Sequence, residues 1–213
     1  LINWRLLPPL SAIFACLFFF RYVLYYGMRK NRNRVILIGA NDLSHEMGEI
    51  NTRVPGFTIR FAREGDEALI LFFIRSLADY EGLASGVVTN EETIRDSMFM
   101  SECAEALIGM LDGKPVAFAL FFHTYAGFLG KPNLYVEDLF VVEEHRGKGL
   151  GKSMIACLAK IADQRDCHRM DWLVLDWNEP TIAFYKGLGA APVSDMTVYR
   201  LSRSYLQQLS REL

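Results

Sequence analysis

The sequence predicts an α/β (α+β) fold, a mixed sheet with helices on its faces. Three observations carry that prediction. From Phe57 onward, stretches with apolar residues at period two alternate with stretches at period three and four. Asp112-Gly113 joins two long apolar runs as a hairpin. The apolar run YVEDLFVV ends in Gly147, Gly149 and Gly151 just before a helical pattern.

Taken in order, FTIRFAR (57–63) alternates as a strand. EGDEALILFFIRSLADYEGL repeats apolar residues at Leu69, Phe72, Phe73, Leu77 and Tyr80 behind acidic residues, the signature of a helix N-terminus. NEETIRDSMF (90–99) is a short helix opened by Asn90. AEALIGMLDGKPVAFALFFHTY supplies the two hairpin strands, and NLYVEDLFVV (133–142) the next strand. Leu150, Met154, Ile155, Leu158, Ile161 and Ala162 mark one helix face. MDWLVLDW (170–177) reads as a strand, NEPTIAFYKGLGA (178–190) as a helix capped by Asn178 with Pro180 in its first turn, and MTVYRLS (196–202) as a last strand. Phe184 and Leu188 are expected in the core.

These elements make one domain over residues 56–213. Residues 1–55 differ in character. LSAIFACLFFF (10–20) is apolar enough for a membrane but spans only half of one; Arg21 interrupts it, and RKNRNR (29–34) follows as a basic flank. Membrane contact through residues 6–34, a packed extension, a disordered leader, and translated upstream sequence or a fragment's edge are the open readings of this segment. The domain itself is expected in the cytoplasm.

A formal net charge of −2 supplies no general field for nucleic acid, and a 51% hydrophobic, 23% charged composition excludes a disordered tail. Cys16, Cys103, Cys157 and Cys167 form no CxxC pair, and His45, His123, His145 and His168 form no HExxH, so no metal site is expected. Cys157 falls among the apolar positions of its helix and reads as a reduced core thiol.

Three alternate glycines at an element boundary suggest a backbone that a ligand approaches closely. A P-loop ending in Gly151-Lys152-Ser153 requires glycine where Arg146 stands, and a GxGxxG pattern begun at Gly147 requires one at Lys152. Neither pattern is present. What remains is RGxGxG followed by Lys152, with unpaired N–H groups at the positive end of a helix, which suits a pyrophosphate. Just upstream, Glu137 and Asp138 are adjacent in a strand and so should point to opposite faces. Carboxylates in an otherwise apolar strand are costly to bury unpaired, which marks at least one of them for a site.

HRGKGLGK after YVEDLFVV resembles the acetyl-CoA signature of the GNAT acetyltransferases. YVEDLFV, RGKGLG, WNEPTIAFYKGLGA and SLADYE together resemble the diamine (spermidine/spermine) N-acetyltransferases and their thialysine acetyltransferase relatives, over roughly residues 57 to 209. The resemblance implies a GNAT fold: a mostly antiparallel twisted sheet with helices on both faces and splayed central strands. It implies acetyl-CoA as cosubstrate, a small-molecule amine as acceptor, direct transfer in a ternary complex, and a homodimer.

By the same resemblance, main-chain groups of Leu139, Phe140 and Val141 pair with the pantetheine arm. Arg146, Gly147, Lys148, Gly149, Leu150, Gly151 and Lys152 hold the pyrophosphate, and Asn178, Thr181 and Tyr185 line the cofactor. Tyr185 is the implied general acid for the leaving thiolate, and an N–H near Leu139 the implied oxyanion donor. Glu137 binds the amine and removes its proton, directly or through water, and Asp138, Tyr80 and Glu81 help hold a cationic substrate. GLASGVV after the first helix has no carboxylate where polyamine enzymes carry acidic residues, so a short diamine, thialysine or another small primary amine is expected over spermine. A protein or peptide amine and a non-catalytic CoA-binding module are the alternatives.

Overall fold

The computed structural model describes residues 48–213. Residues 6–34, for which membrane contact is one of the open readings, therefore lie outside the described residues, as do Cys16 and His45. Two compact units divide the chain, one running to Trp172 and one spanning Leu173–Leu213.

The first unit is built on a six-stranded sheet whose spatial order follows the sequence: β1 (Ile50–Asn51), β2 (Phe57–Phe61), β3 (Glu105–Leu111), β4 (Lys114–Ala126), β5 (Lys131–Val141) and β6 (Met170–Trp172). All neighbours are antiparallel except β5 and β6, which are parallel. Period two in FTIRF appears as burial of Phe57, Ile59 and Phe61. The β3–β4 hairpin turns where expected, with Asp112 at φ +50° and Gly113 at +76°, the left-handed pair that a two-residue hairpin of matching twist requires.

Helices cover both faces. On one face lies α1 (Glu67–Tyr80), with Ile70, Leu71 and Phe73 buried beside Phe118 and Phe140; the Phe73 and Phe118 rings stack at 5.5 Å. The short α2 (Glu91–Ile94) packs into the same cluster through Ile94 and continues as a wider turn over Arg95–Met100. Asn90 opens it, its side-chain oxygen accepting the Thr93 N–H at 2.8 Å. On the other face α3 (Leu150–Gln164) buries Leu150, Met154, Cys157, Leu158, Ile161 and Ala162 against Phe57, Ile59 and Phe121. Burial pushes the Cys157 thiol up to about 11, keeping it protonated as a core thiol.

Two expectations are corrected in these helices and strands. Phe72 was expected on the buried face of α1 and is 53% exposed, while Ile70 is fully buried. The segment is apolar almost all round, so periodicity identified the helix without fixing which stripe faces the sheet. The strand expected over 170–177 is only β6, three residues long, because its ladder with β5 ends at the Val136–Trp172 pair.

The second unit contains α4 (Glu179–Gly187) and α5 (Arg203–Leu209). Asn178 caps α4 as expected, accepting the Thr181 N–H at 3.3 Å, with Pro180 in the first turn. Residues 196–202 form no strand, contrary to expectation, and Val198 and Tyr199 are exposed. Alternation prepares a strand, but only a neighbour that takes its N–H and C=O groups makes one. Phe184 and Leu188, expected in the core, are half-buried, and Tyr185 between them is the buried side chain of α4.

Candidate active site

The chemistry-bearing part of β5 is shaped by a bulge. Phe121 of β4 pairs with Val136, whereas its neighbour Leu120 pairs with Asp138, so Glu137 is an extra residue with no partner of its own on β4. The bulge shifts the alternation by one. Leu134 and Val136 face the α3 side of the sheet, and beyond the bulge Leu139 and Val141 pack there too, while Phe140 turns to the α1 side. Glu137 and Asp138 are thus both directed to the α1 face. The expectation that adjacent carboxylates point to opposite faces is corrected: it holds for a regular strand and fails at a bulge.

The same strand has an open edge. Parallel pairing with β6 stops at Val136, leaving residues 137–141 without a β6 partner. On the β4 side, Val142 N–H donates to Val116 C=O at 2.9 Å, which makes Val141–Ala117 and Leu139–Ala119 the pairs that do not bond each other. The main-chain groups of Leu139 and Val141 therefore face the open edge. Those of Phe140 turn to β4, and its ring is buried under α1.

Beyond β5, a short turn (Glu143–His145) leads into the glycine loop and α3. Gly147 sits at φ +73° and Gly149, the N-cap of α3, at +83°. Among the described residues, no side chain caps α3 and a Cβ added at Gly147 would meet no heavy atom within 4 Å, so the loop's backbone at Gly147 stands clear of them. Lys148 folds back to the Glu144 carbonyl at 3.0 Å, while Lys152 is exposed.

Arg146 takes an unexpected course. Its Nε donates to the Val141 carbonyl at 2.9 Å, and its guanidinium lies 4.4 Å from the centre of the Tyr80 ring and 5.4 Å from that of Phe140. The residue that begins the glycine loop thereby reaches the end of α1, where Tyr80 and Glu81 stand. No sequence signal announced this contact, since Tyr80 and Arg146 are far apart in the chain.

Glu81, Glu137 and Asp138 converge electrostatically. Burial, then the charges of Glu137 and Glu81, raise the Asp138 carboxyl to about 6. Burial alone raises Glu81 as well. A carboxylate cluster of this kind attracts a cation. In the second unit, burial pushes the Tyr185 phenol up to about 12, so it stays protonated at neutral pH. Thr181 in the same helix is half-buried, and Asn178 is buried at its cap.

A family model described as Acetyltransferase (GNAT) family matches residues 75–190. The chain is 36% identical over 146 residues to a thialysine N-epsilon-acetyltransferase of Bos taurus, covering 64% of this chain and 85% of the relative. It is 33% identical over 164 residues to the Mus musculus thialysine N-epsilon-acetyltransferase, covering 73% of this chain and 95% of the relative. Among solved structures, an integron cassette protein from the mobile metagenome of V. cholerae superposes with a TM-score of 0.61 at 23% identity. That match covers 73% of this chain and 98% of the other.

Proposed function

Because the chain belongs to the GNAT acetyltransferase family, we propose that it acetylates a primary amine of a small thialysine-like, diamine or polyamine molecule by direct transfer. Membership makes it an acyl-CoA-dependent N-acetyltransferase with acetyl-CoA as donor. The observation that carries the acceptor assignment is the bulge at Glu137, which sets two carboxylates on one face beside an open strand edge.

The residues fit coenzyme A. Edge-facing groups of Leu139 and Val141 would pair with the pantetheine amides, and the amides from Arg146 to Lys152 would hold the pyrophosphate at the uncapped start of α3. Asn178 and Thr181 are proposed to line the cofactor as well. Bound acetyl-CoA supplies the thioester carbonyl. An N–H near Leu139 would stabilise the charge that develops on its oxygen.

An alkylamine is protonated at neutral pH and cannot attack until it loses that proton. Glu137 is the proposed acceptor, directly or through water, and Asp138, Glu81 and the Tyr80 ring would attract and orient the cation. Tyr185 is the proposed acid: its buried phenol, protonated at neutral pH, would hydrogen-bond the departing sulfur and give it a proton.

The test is an acetyl-transfer screen of the whole chain against thialysine, short diamines, polyamines and peptides, with Tyr185→Phe alongside. The expected result is transfer to small amines ahead of peptides, with turnover in Tyr185→Phe lower by about ten- to a thousandfold at nearly unchanged acetyl-CoA affinity. Preference for peptides overturns the acceptor class. An unaltered rate in the variant removes Tyr185 from the mechanism.

A further inference from the structure

We propose that Arg53, in the strap that precedes β2, is a phosphate-binding residue of the acetyl-CoA site. The inference rests on the placement of acetyl-CoA at the glycine loop above, and adds to it a residue from outside residues 75–190, which match the family model. The strap runs beside that loop: a Cβ built at Gly149, the N-cap of α3, lies 3.7 Å from Val54 Cγ2. Local hydrogen bonds fix its main chain. Thr52 Oγ1 accepts the Val54 N–H at 3.1 Å and donates to the Phe57 carbonyl at 2.8 Å, and Phe57 N–H donates to the Val54 carbonyl at 3.1 Å. Gly56, at φ +72°, closes the turn against Asp112, whose N–H donates to the Gly56 carbonyl at 2.9 Å. Val54 is half-buried against the core under α3. Arg53 beside it is exposed and has no hydrogen-bond or ion-pair partner among the described residues.

Charge and reach both point to a phosphate. Acetyl-CoA carries a pyrophosphate and a ribose 3′-phosphate, roughly four negative charges at neutral pH. The amides at the start of α3 offer only partial charges. Of the loop's lysines, Lys148 is folded back on the Glu144 carbonyl at 3.0 Å, and Lys152 is exposed. Glu143 and Glu144, exposed just before the loop, add negative charge of their own. A further cation beside the loop offsets that excess. Neighbouring Cα atoms are about 3.8 Å apart, and an extended arginine carries its guanidinium roughly 7 Å from its own Cα. A side chain based one residue from the Val54–Gly149 contact therefore reaches the amides that open α3, and the phosphates that would lie against them. An unpaired guanidinium on a fixed main chain presents parallel N–H donors suited to phosphate oxygens.

The test is calorimetry of acetyl-CoA and of 3′-dephospho-acetyl-CoA on the whole chain, as wild type, Arg53→Lys, Arg53→Gln and Arg53→Glu, at low and high salt. The expected acetyl-CoA Kd rises about fivefold or more in Arg53→Gln and further in Arg53→Glu, stays within about threefold in Arg53→Lys, and differs less at high salt, where charge contacts are screened. The Tm of the unliganded variants should match wild type, because Arg53 has no partner to lose. An Arg53→Gln penalty that persists with the dephospho cofactor puts the contact on the pyrophosphate; one that vanishes puts it on the 3′-phosphate. Low-salt Kd values for Arg53→Gln and Arg53→Glu within about twofold of wild type overturn the inference. So does a penalty of equal size at low and high salt, which a charge contact does not give. A wild-type chain that binds no acetyl-CoA overturns the cofactor placement itself, a result distinct from either.

Discussion

At Gly147 the backbone stands at φ +73°, and an added methyl group meets backbone strain but no neighbour among the described residues. Gly147→Ala should therefore destabilise by only about 1–2 kcal/mol, the cost of a left-handed L-residue. Its methyl group would nevertheless project where a phosphate is to lie against the amides. The expected outcome is a Tm lower by roughly 2–8 °C and an acetyl-CoA Kd raised tenfold or more by calorimetry. A variant that binds acetyl-CoA as well as wild type would detach the loop from the cofactor. The glycines were readable in the sequence because a positive φ leaves a residue-type signature. The course of the Arg146 side chain was not, because Tyr80 and Phe140 decide it and neither is a sequence neighbour.

At the level of elements, β5 and α3 carry the candidate site and must be held against the rest of the sheet. The C-terminal end of α3 is tied to β3 by Arg165, which makes two hydrogen bonds to Glu105 at 2.5 and 2.8 Å. The Arg165 side chain is 5% exposed, and its Nε is buried without a hydrogen-bond partner among the described residues, so Glu105 is what neutralises an interior cation. Glu105→Ala should cost about 3–5 kcal/mol, since it strands that charge. Urea unfolding should show a lowered midpoint with an unchanged slope, and a midpoint like that of wild type would make the pair dispensable. Element types followed from periodicity and turn residues at β2, at the β3–β4 hairpin and in α3. The phase of α1 did not: Phe72 and Ile70 are equally apolar in sequence, and packing against Phe118 and Phe140 chose between the two stripes.

For the molecule as a whole, Asp138 links stability to pH. Its folded carboxyl, at about 6, holds a proton more tightly than an ordinary aspartate near 4. Between those values the native state binds more protons than the unfolded chain. The resulting stabilisation is full below about pH 4 and is lost as pH rises through about 6. At pH 7 the charged carboxylate costs on the order of 3 kcal/mol. Asp138→Asn should consequently raise Tm at pH 7, with the difference from wild type closing near pH 4; a variant less stable at pH 7 would contradict the sign. Activity should run the other way. Holding the ammonium requires the ionised form, so wild-type kcat/KM should rise with pH along a limb near 6. The pH that favours the fold is thus the pH that weakens the site.

The sequence by itself determined which segments are helices and strands over most of residues 57–190, where the hairpin turns, and that a glycine loop opens α3. These features depend on spacing, capping and backbone sign, which are local properties of neighbouring residues. Tertiary structure decided the rest. The extra residue at Glu137 exists only relative to β4, the open edge only relative to where β6 stops, and the course of the Arg146 side chain only relative to Tyr80. An adjacent pair of carboxylates is two side chains on opposite faces in a regular strand and a cluster at a bulge; which one forms depends on register between strands, a pairing that no single stretch of sequence contains.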